Sequence, residues 1–261
     1  MTETSKVSLT REGHIGVVTL NRPEALNAIS GGVAAELTEA FRAVAADGDL
    51  WVVVLEAAGD KAFSVGADLK ERASFARADY AANRKQVRGM FEALRMVPQP
   101  TIAAVFGYAL GGGFELALSC DIVVAAEGSS VGLPEARVGL LPAGGGTQLL
   151  PRRVGAARAK ELIFTGRRVD AGEAQSIGLV DGVVERSRLS SAVRELAAAI
   201  CECSPVAVRA AKSAIDAAPG LSVEAGVDLE HGAWSVVAAS ADRDEGVAAF
   251  NDKRPPRWSN R

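Results

Sequence analysis

Two histidines, three cysteines and two tyrosines are all that this 261-residue chain offers of those side chains, and each shortage removes a chemistry. His14 falls in an apparent hairpin turn and His231 in a C-terminal helical stretch, with no acid or nucleophile motif beside either. That argues against a Ser-His-Asp or Cys-His relay and against a His-rich metal site. Cys120, Cys201 and Cys203 are odd in number, and the C-x-C pair has neither zinc-ligand nor redox spacing, so they read as small core residues. Aromatic residues make up 5% of the chain, too few for a base-stacking surface, and a net charge of −3 gives no basic face for nucleic acid. Local basic clusters such as Arg152-Arg153 and Arg167-Arg168 are of the kind an anionic ligand meets. The uncharged run from Met96 to Phe114 is interrupted by Pro98, Pro100 and four glycines, which would leave backbone groups unsatisfied in lipid. No membrane association is expected. Met1 to Lys6 has neither an apolar signal core nor an Arg-rich transit pattern, so a soluble cytoplasmic protein is expected.

What is present is 48% hydrophobic sequence, enough for one large domain with a sizeable core. Val7-Ser8-Leu9 and Ile15–Leu20 flank a turn and predict a hairpin. The spacing of Leu37, Phe41 and Val44 predicts a helix over 30–47. Strands are expected at 51–56, 101–106 and 121–125, and helices at 76–96 and 114–119. Residues 61–67 read as a loop opening a short helix, and 107–113 as a turn. Strand-then-helix alternation places the chain in the α/β class. Beyond about Arg188 strands vanish and four helical stretches follow, at 192–201, 205–217, 223–239 and 243–250. A boundary near 195 therefore divides a mixed core, 1–195, from a helical tail, 196–261. Val223, Val227, Trp234 and Val237 give that tail apolar faces, to be buried on its own core or in a subunit interface. No internal repeat is evident.

Any acid/base work must fall to carboxylates, Lys or Tyr. Glu115 is the only charged residue between Val97 and Cys120, and it follows Gly111-Gly112-Gly113. A carboxylate alone in apolar surroundings is costly unless it is paired or has work to do. Glu135 follows in Gly132-Leu133-Pro134-Glu135-Ala136, and two such acids suit general acid/base chemistry on a neutral substrate. The triplets Gly111–Gly113 and Gly144–Gly146 fail both nucleotide-binding tests: no Lys-Ser/Thr follows the first, and Leu116 stands where a dinucleotide fingerprint needs its last glycine. They still place bare N–H groups at a helix start, as does Ser64-Val65-Gly66-Ala67-Asp68-Leu69. Two such donors converging would form an oxyanion hole; the plainer alternative is close helix–strand packing. For Glu115 the plainer alternative is a structural ion pair, and for Glu135 a helix start after Pro134.

Six segments, in order, resemble the enoyl-CoA hydratase/isomerase (crotonase) superfamily, most of all its enoyl-CoA hydratases. They are Leu20-Asn21-Arg22-Pro23-Glu24-Ala25-Leu26-Asn27-Ala28, the run Ala62–Glu71, Gly107–Ala117, Leu133–Pro142, Gly145-Gly146-Thr147-Gln148 with Leu162–Gly166, and Glu245–Arg254. The resemblance implies a spiral of ββα repeats with a C-terminal helical trimerisation region, trimers commonly pairing into hexamers. It implies a coenzyme A thioester as substrate, its carbonyl oxygen between the N–H groups of Ala67 and Gly112. Ala25, Val65, Asp68, Leu69 and Lys70 would bind the coenzyme A arm, and Lys253 its phosphates. No separate cofactor and no metal is expected, coenzyme A being part of the substrate. The implied reaction is addition of water to a trans-2-enoyl-CoA of the fatty-acid β-oxidation type, with Glu115 activating the water and Glu135 exchanging the proton at Cα. Three positions depart from the best-matched hydratases: Phe114 where Cys is frequent, Ala143 where Gly is common, and Glu24 where Lys is common.

Within the same chemistry, dehydration of a hydroxyacyl-CoA of the carnitinyl-CoA type and double-bond isomerisation are the alternatives. A non-catalytic acyl-CoA-binding or RNA-binding member is the alternative from another class. Both acids argue against an inert binder, and the net charge argues against RNA.

Overall fold

In the computed structural model, which describes residues 5–261, one plan recurs three times: a strand in a large sheet, a tight corner, a short strand in a second sheet, then helix. A hairpin of β1 (Val7–Glu12) and β2 (Ile15–Leu20) leads into α1 (Gly31–Ala46). The first repeat is β3 (Val52–Ala57), β4 (Ala62–Ser64), α2 (Leu69–Ala73) and α3 (Arg77–Arg95). The second is β5 (Thr101–Val105), β6 (Tyr108–Leu110) and α4 (Gly112–Leu118). The third is β7 (Ile122–Ala126), β8 (Ser130–Gly132), a 3-10 turn at Glu135–Val138, then α5 (Gly146–Val154) and α6 (Ala156–Thr165). β9 (Val169–Asp170), α7 (Ala171–Ser176) and β10 (Gly182–Val184) close the sheets. The tail is α8 (Leu189–Cys201), α9 (Pro205–Ala217), α10 (Val223–Ala238) and α11 (Ala241–Asp252).

The large sheet runs β1-β2-β3-β5-β7-β10 and the small one β4-β6-β8-β9. Each repeat thus adds one strand to each sheet, which is the spiral expected from the resemblance. VVVLEA, TIAAV and IVVAA are nearly continuous β-branched and small apolar runs, as central parallel strands covered on both faces require. One face packs on α1, whose Leu37, Phe41 and Val44 are fully buried. The other face packs on Leu189, Val193 and Ala197 of α8. Ser30 fixes the start of α1 by accepting the Val33 N–H on its hydroxyl.

The corner between paired strands is what the sequence hid. At Gly107, φ is +55°, and a side-chain Cβ would fall 2.1 Å from the Lys61 carbonyl oxygen. Only glycine turns the chain there from one sheet to the other; Gly59 and Gly128 take positive φ at the corresponding corners. The loop expected at 61–67 contains β4, and the turn expected at 107–113 contains β6, because three-residue strands are too short to show an alternating pattern. The boundary drawn near 195 runs through α8, which covers the sheet. Past α8, α9 buries only Pro205 and α10 buries nothing among the described residues, leaving Val223 and Trp234 exposed. No helix of the described residues is long and apolar enough to cross a membrane. The basic clusters serve the fold: Arg167 bridges Glu161 and Glu173 at 2.7 Å each, and Arg153 pairs with Asp181 at 3.0 Å.

Candidate active site

Two backbone turns meet where the repeats stack. β4 runs into the 64–68 loop, and β6 into the start of α4. A Cβ on Gly113 would sit 2.2 Å from the Ser64 carbonyl oxygen, and one on Gly66 would sit 2.8 Å from the Gly112 nitrogen. Backbone therefore lies directly on backbone, and the close-packing reading of these glycines is correct as far as it goes. Its consequence is that the Ala67 and Gly112 N–H groups come together: a Cβ on Gly112 would lie 3.9 Å from the Ala67 nitrogen. Among the described residues, neither N–H enters a backbone hydrogen bond. Gly112 opens α4, so its donor also carries the positive end of the helix dipole.

Glu115 lies one turn further on and is 3% exposed, yet no ion pair among the described residues holds it. Its Oε1 accepts the N–H groups of Gly144 and Gly146, each at 2.7 Å. The second glycine triplet is thus the cradle of the first acid. A Cβ on Gly144 would strike the Phe91 ring at 2.4 Å, and one on Gly146 would lie 2.9 Å from Oε1, so the cradle must be bare backbone. Burial raises the Glu115 carboxyl above the ordinary range, opposed by the donors at 146, 144 and 145 and by the charge of Arg84. With Oε1 held by the cradle, Oε2 is the basic atom left for a substrate or a water.

Glu135 begins the 3-10 turn after Pro134 and lies against Gly111, where a Cβ would be 3.0 Å from its Oε1. Its Oε2 is buried without a hydrogen-bond partner among the described residues. Burial pushes this carboxyl up to about 7, and the charge of Glu115 adds to the rise against a backbone hydrogen bond at its own position. Two carboxyls that discourage each other's ionisation leave one able to hold a proton near neutral pH while the other acts as base. A cavity of about 470 Å³ opens over both, and Ala67, Gly112, Glu115 and Glu135 all line it.

Of the other residues singled out from sequence, Val65 and Leu69 line this cavity; Ala25, Asp68, Lys70 and Lys253 do not. Asp68 holds the loop in shape: it caps α2 by accepting the Lys70 and Glu71 N–H groups and pairs with Arg22 at 2.6 Å. Burial works against its ionised form, yet Arg22 and the two N–H donors hold its carboxyl below the usual range. Ala25 is half-buried in the 3-10 turn Pro23–Ala25, Lys70 is exposed on α2, and Lys253 is exposed in the left-handed cap of α11. Phe114 is fully buried away from the cavity, whereas Ala143 lines it and offers its carbonyl to Arg84 at 2.7 Å. Glu24 pairs loosely with Arg22 at 3.7 Å. Neither histidine approaches the acids: His14 stacks on Trp51 and His231 on Trp234. Sequence reasoning missed the role of Gly144 and Gly146, although an acid with no cation near it in sequence was the signal that donors had to come from backbone. It also missed Arg72, which lines the cavity from α2.

The family profile described as enoyl-CoA hydratase/isomerase matches residues 10–261. A putative enoyl-CoA hydratase/isomerase of Bacillus subtilis is 42% identical over 92% of this chain and 93% of its own length. The short-chain-enoyl-CoA hydratase of Clostridium acetobutylicum is 38% identical over 97% of each chain. The crystal structure of an enoyl-CoA hydratase from Bacillus anthracis superposes with a TM-score of 0.96, at 40% identity, over 98% of this chain and 100% of that one. With its spiral of repeats and its two acids over one cavity, the chain belongs to the enoyl-CoA hydratase/isomerase family.

Proposed function

We propose that the protein adds water across the 2,3 double bond of a trans-2-enoyl-CoA to give a 3-hydroxyacyl-CoA. The observation that carries this reading is the pairing of unlike carboxyls over one cavity, Glu115 on its backbone cradle and Glu135 raised to about 7, beside two free N–H donors. The thioester carbonyl oxygen accepts the Ala67 and Gly112 N–H groups. Water sits on Glu115 Oε2 and against Glu135. Its oxygen bonds to C3 while its proton passes to Glu115. The π electrons move toward the thioester oxygen, where the two N–H groups stabilise the enolate charge. Glu135 then delivers its proton to Cα, and proton return between the acids through solvent closes the cycle. Losing one such donor costs about 2.7–4 kcal/mol in a comparable acyl-transfer site.

In this reading Val65 and Leu69 flank the pantetheine arm, Asp68 holds the loop that carries the Ala67 donor, and Ala25, Lys70 and Lys253 face the nucleotide end from outside the cavity. Coenzyme A enters as part of the substrate, with no separate cofactor. The relatives' names support the activity, and the reading extends to fatty-acid oxidation in the cytoplasm. A homotrimer or hexamer built through the C-terminal helices is also part of it, supported by the exposed apolar side chains of α10 and α11, with Trp234 62% and Phe250 84% exposed. The test is crotonyl-CoA in heavy-oxygen water: the reading expects product carrying the label at C3. Unlabelled substrate with a migrated double bond would overturn it in favour of isomerisation.

A further inference from the structure

The cavity carries cationic and amide groups that the hydration chemistry leaves unused. Asn83, on α3, is 8% exposed and lines the cavity, and its carboxamide has no hydrogen-bond partner among the described residues. The amide atoms are open to the cavity rather than sealed off, so they offer a donor and an acceptor to whatever enters it. Arg72, from α2, is half-buried in the lining of the same cavity, and its guanidinium makes no hydrogen bond or ion pair among the described residues. Arg84, one residue after Asn83, gives one N–H to the Ala143 carbonyl and keeps its remaining donors at the rim.

Among the described residues no acid forms an ion pair with Arg72 or Arg84, and Arg84 acts on Glu115 through its charge alone. Glu71 spends its carboxylate on the Gly31 N–H at 2.9 and 3.1 Å, and Asp79 takes the Ala76 N–H at 2.8 Å; neither lines the cavity. Glu115 is held on its cradle. Val87, Leu140 and Leu141 complete the wall and suit a short methylene chain.

We propose that the acyl end of the cavity is a subsite for an anionic acyl group, so that the preferred substrate is a short 2-enoyl-CoA ending in a carboxylate, bound by Arg72 and Arg84 with the Asn83 amide as a further donor. This rests on the hydratase reading, which places the thioester at Ala67 and Gly112. A guanidinium fork matches a carboxylate in shape and charge. A chain ending in methyl would leave Asn83 and Arg72 unpaired, and sites built to hydrogen-bond a substrate group reject analogues that lack it. The phosphates of coenzyme A offer the same oxyanion chemistry, so the test must separate the two sources.

The experiment compares glutaconyl-CoA, which ends in a carboxylate, with trans-2-pentenoyl-CoA, of equal length and ending in methyl. The kcat/KM ratio is measured for wild type, Arg72→Met and Arg72→Lys, beside calorimetric binding of the saturated glutaryl-CoA and pentanoyl-CoA. Wild type is expected to favour the carboxylate at least about tenfold, the scale of one charge-assisted hydrogen bond. Arg72→Met should lower the ratio by about the same factor, and Arg72→Lys should restore part of it. A wild-type ratio near one overturns the proposal. So does a ratio unchanged in Arg72→Met while both substrates weaken together, which would put the arginine on a coenzyme A phosphate. If neither thioester is hydrated but glutaryl-CoA binds more tightly through Arg72, the hydratase reading fails and the subsite stands.

Discussion

Glu135→Gln should produce a protein more stable than wild type in alkaline solution and indistinguishable from it in acid. The folded carboxyl titrates at about 7 against an ordinary 4.5. A raised folded value means that the favourable contribution of the neutral acid is fully present below about 4.5 and is lost as pH rises through 7. Gln is isosteric and never ionises, so the wild type falls behind across that window and keeps the full deficit above it. Moving a carboxyl from 4.5 to about 7 corresponds to about 3 kcal/mol at 1.36 kcal/mol per pH unit. Because the cavity admits solvent, about 2 kcal/mol is the expected deficit. For a chain of this size that is about 4–8 °C in Tm. The assay is thermal unfolding of both proteins at pH 5, 6, 7 and 8.5, at one fixed protein concentration, since any assembly adds its own term. A Gln variant less stable than wild type at pH 8.5, or a difference that does not grow from pH 5 to 8.5, would refute the reasoning and leave the buried Oε2 without its cost.

The same proton governs rate. The pair carries one proton in both directions and hydration releases none, so kcat/KM for hydration of the enoyl-CoA and for dehydration of the 3-hydroxyacyl-CoA should fall together as pH rises through about 7; profiles that stay flat through that point would exclude the assignment. Gly113→Ala should cost about 3 kcal/mol or prevent folding, because its Cβ would fall 2.2 Å from a carbonyl oxygen, whereas Gly89→Ala in the open helical face of α3 should stabilise by about 0.5–1 kcal/mol; urea titration separates the two. Asp68→Ala should cost about 1–2 kcal/mol by removing the α2 cap and the Arg22 pair, and should raise KM by loosening the loop that carries Ala67; an unchanged KM would uncouple the cap from the site.

What could be read from the sequence was whatever depends on long periodic patterns and on isolated charge. α1, α3 and the tail helices came out within a few residues, and the central strands were legible as β-branched runs. The small sheet was not, since β4, β6 and β8 are three residues each and hold their places through glycine corners rather than through pattern. Glu115 announced itself by standing alone among apolar residues. Its partners did not, because backbone N–H groups at Gly144 and Gly146 carry no sequence signature beyond the glycines themselves. Asp68 is occupied as the cap of α2 and as the partner of Arg22, a structural task that its place in a matched motif did not reveal. Arg72 and Asn83 sit on helices rich in charged and polar residues, so nothing in the pattern separated them from solvated neighbours.

The central claim is that Glu115 and Glu135 act as a pair on an enoyl thioester. It is tested most directly by following the ultraviolet absorbance of crotonyl-CoA with wild type, Glu115→Gln and Glu135→Gln, each first shown to be folded. The account predicts rapid loss of the conjugated enoyl signal with wild type and none above background with either variant. Full activity in either variant, or an inert wild type, would contradict it.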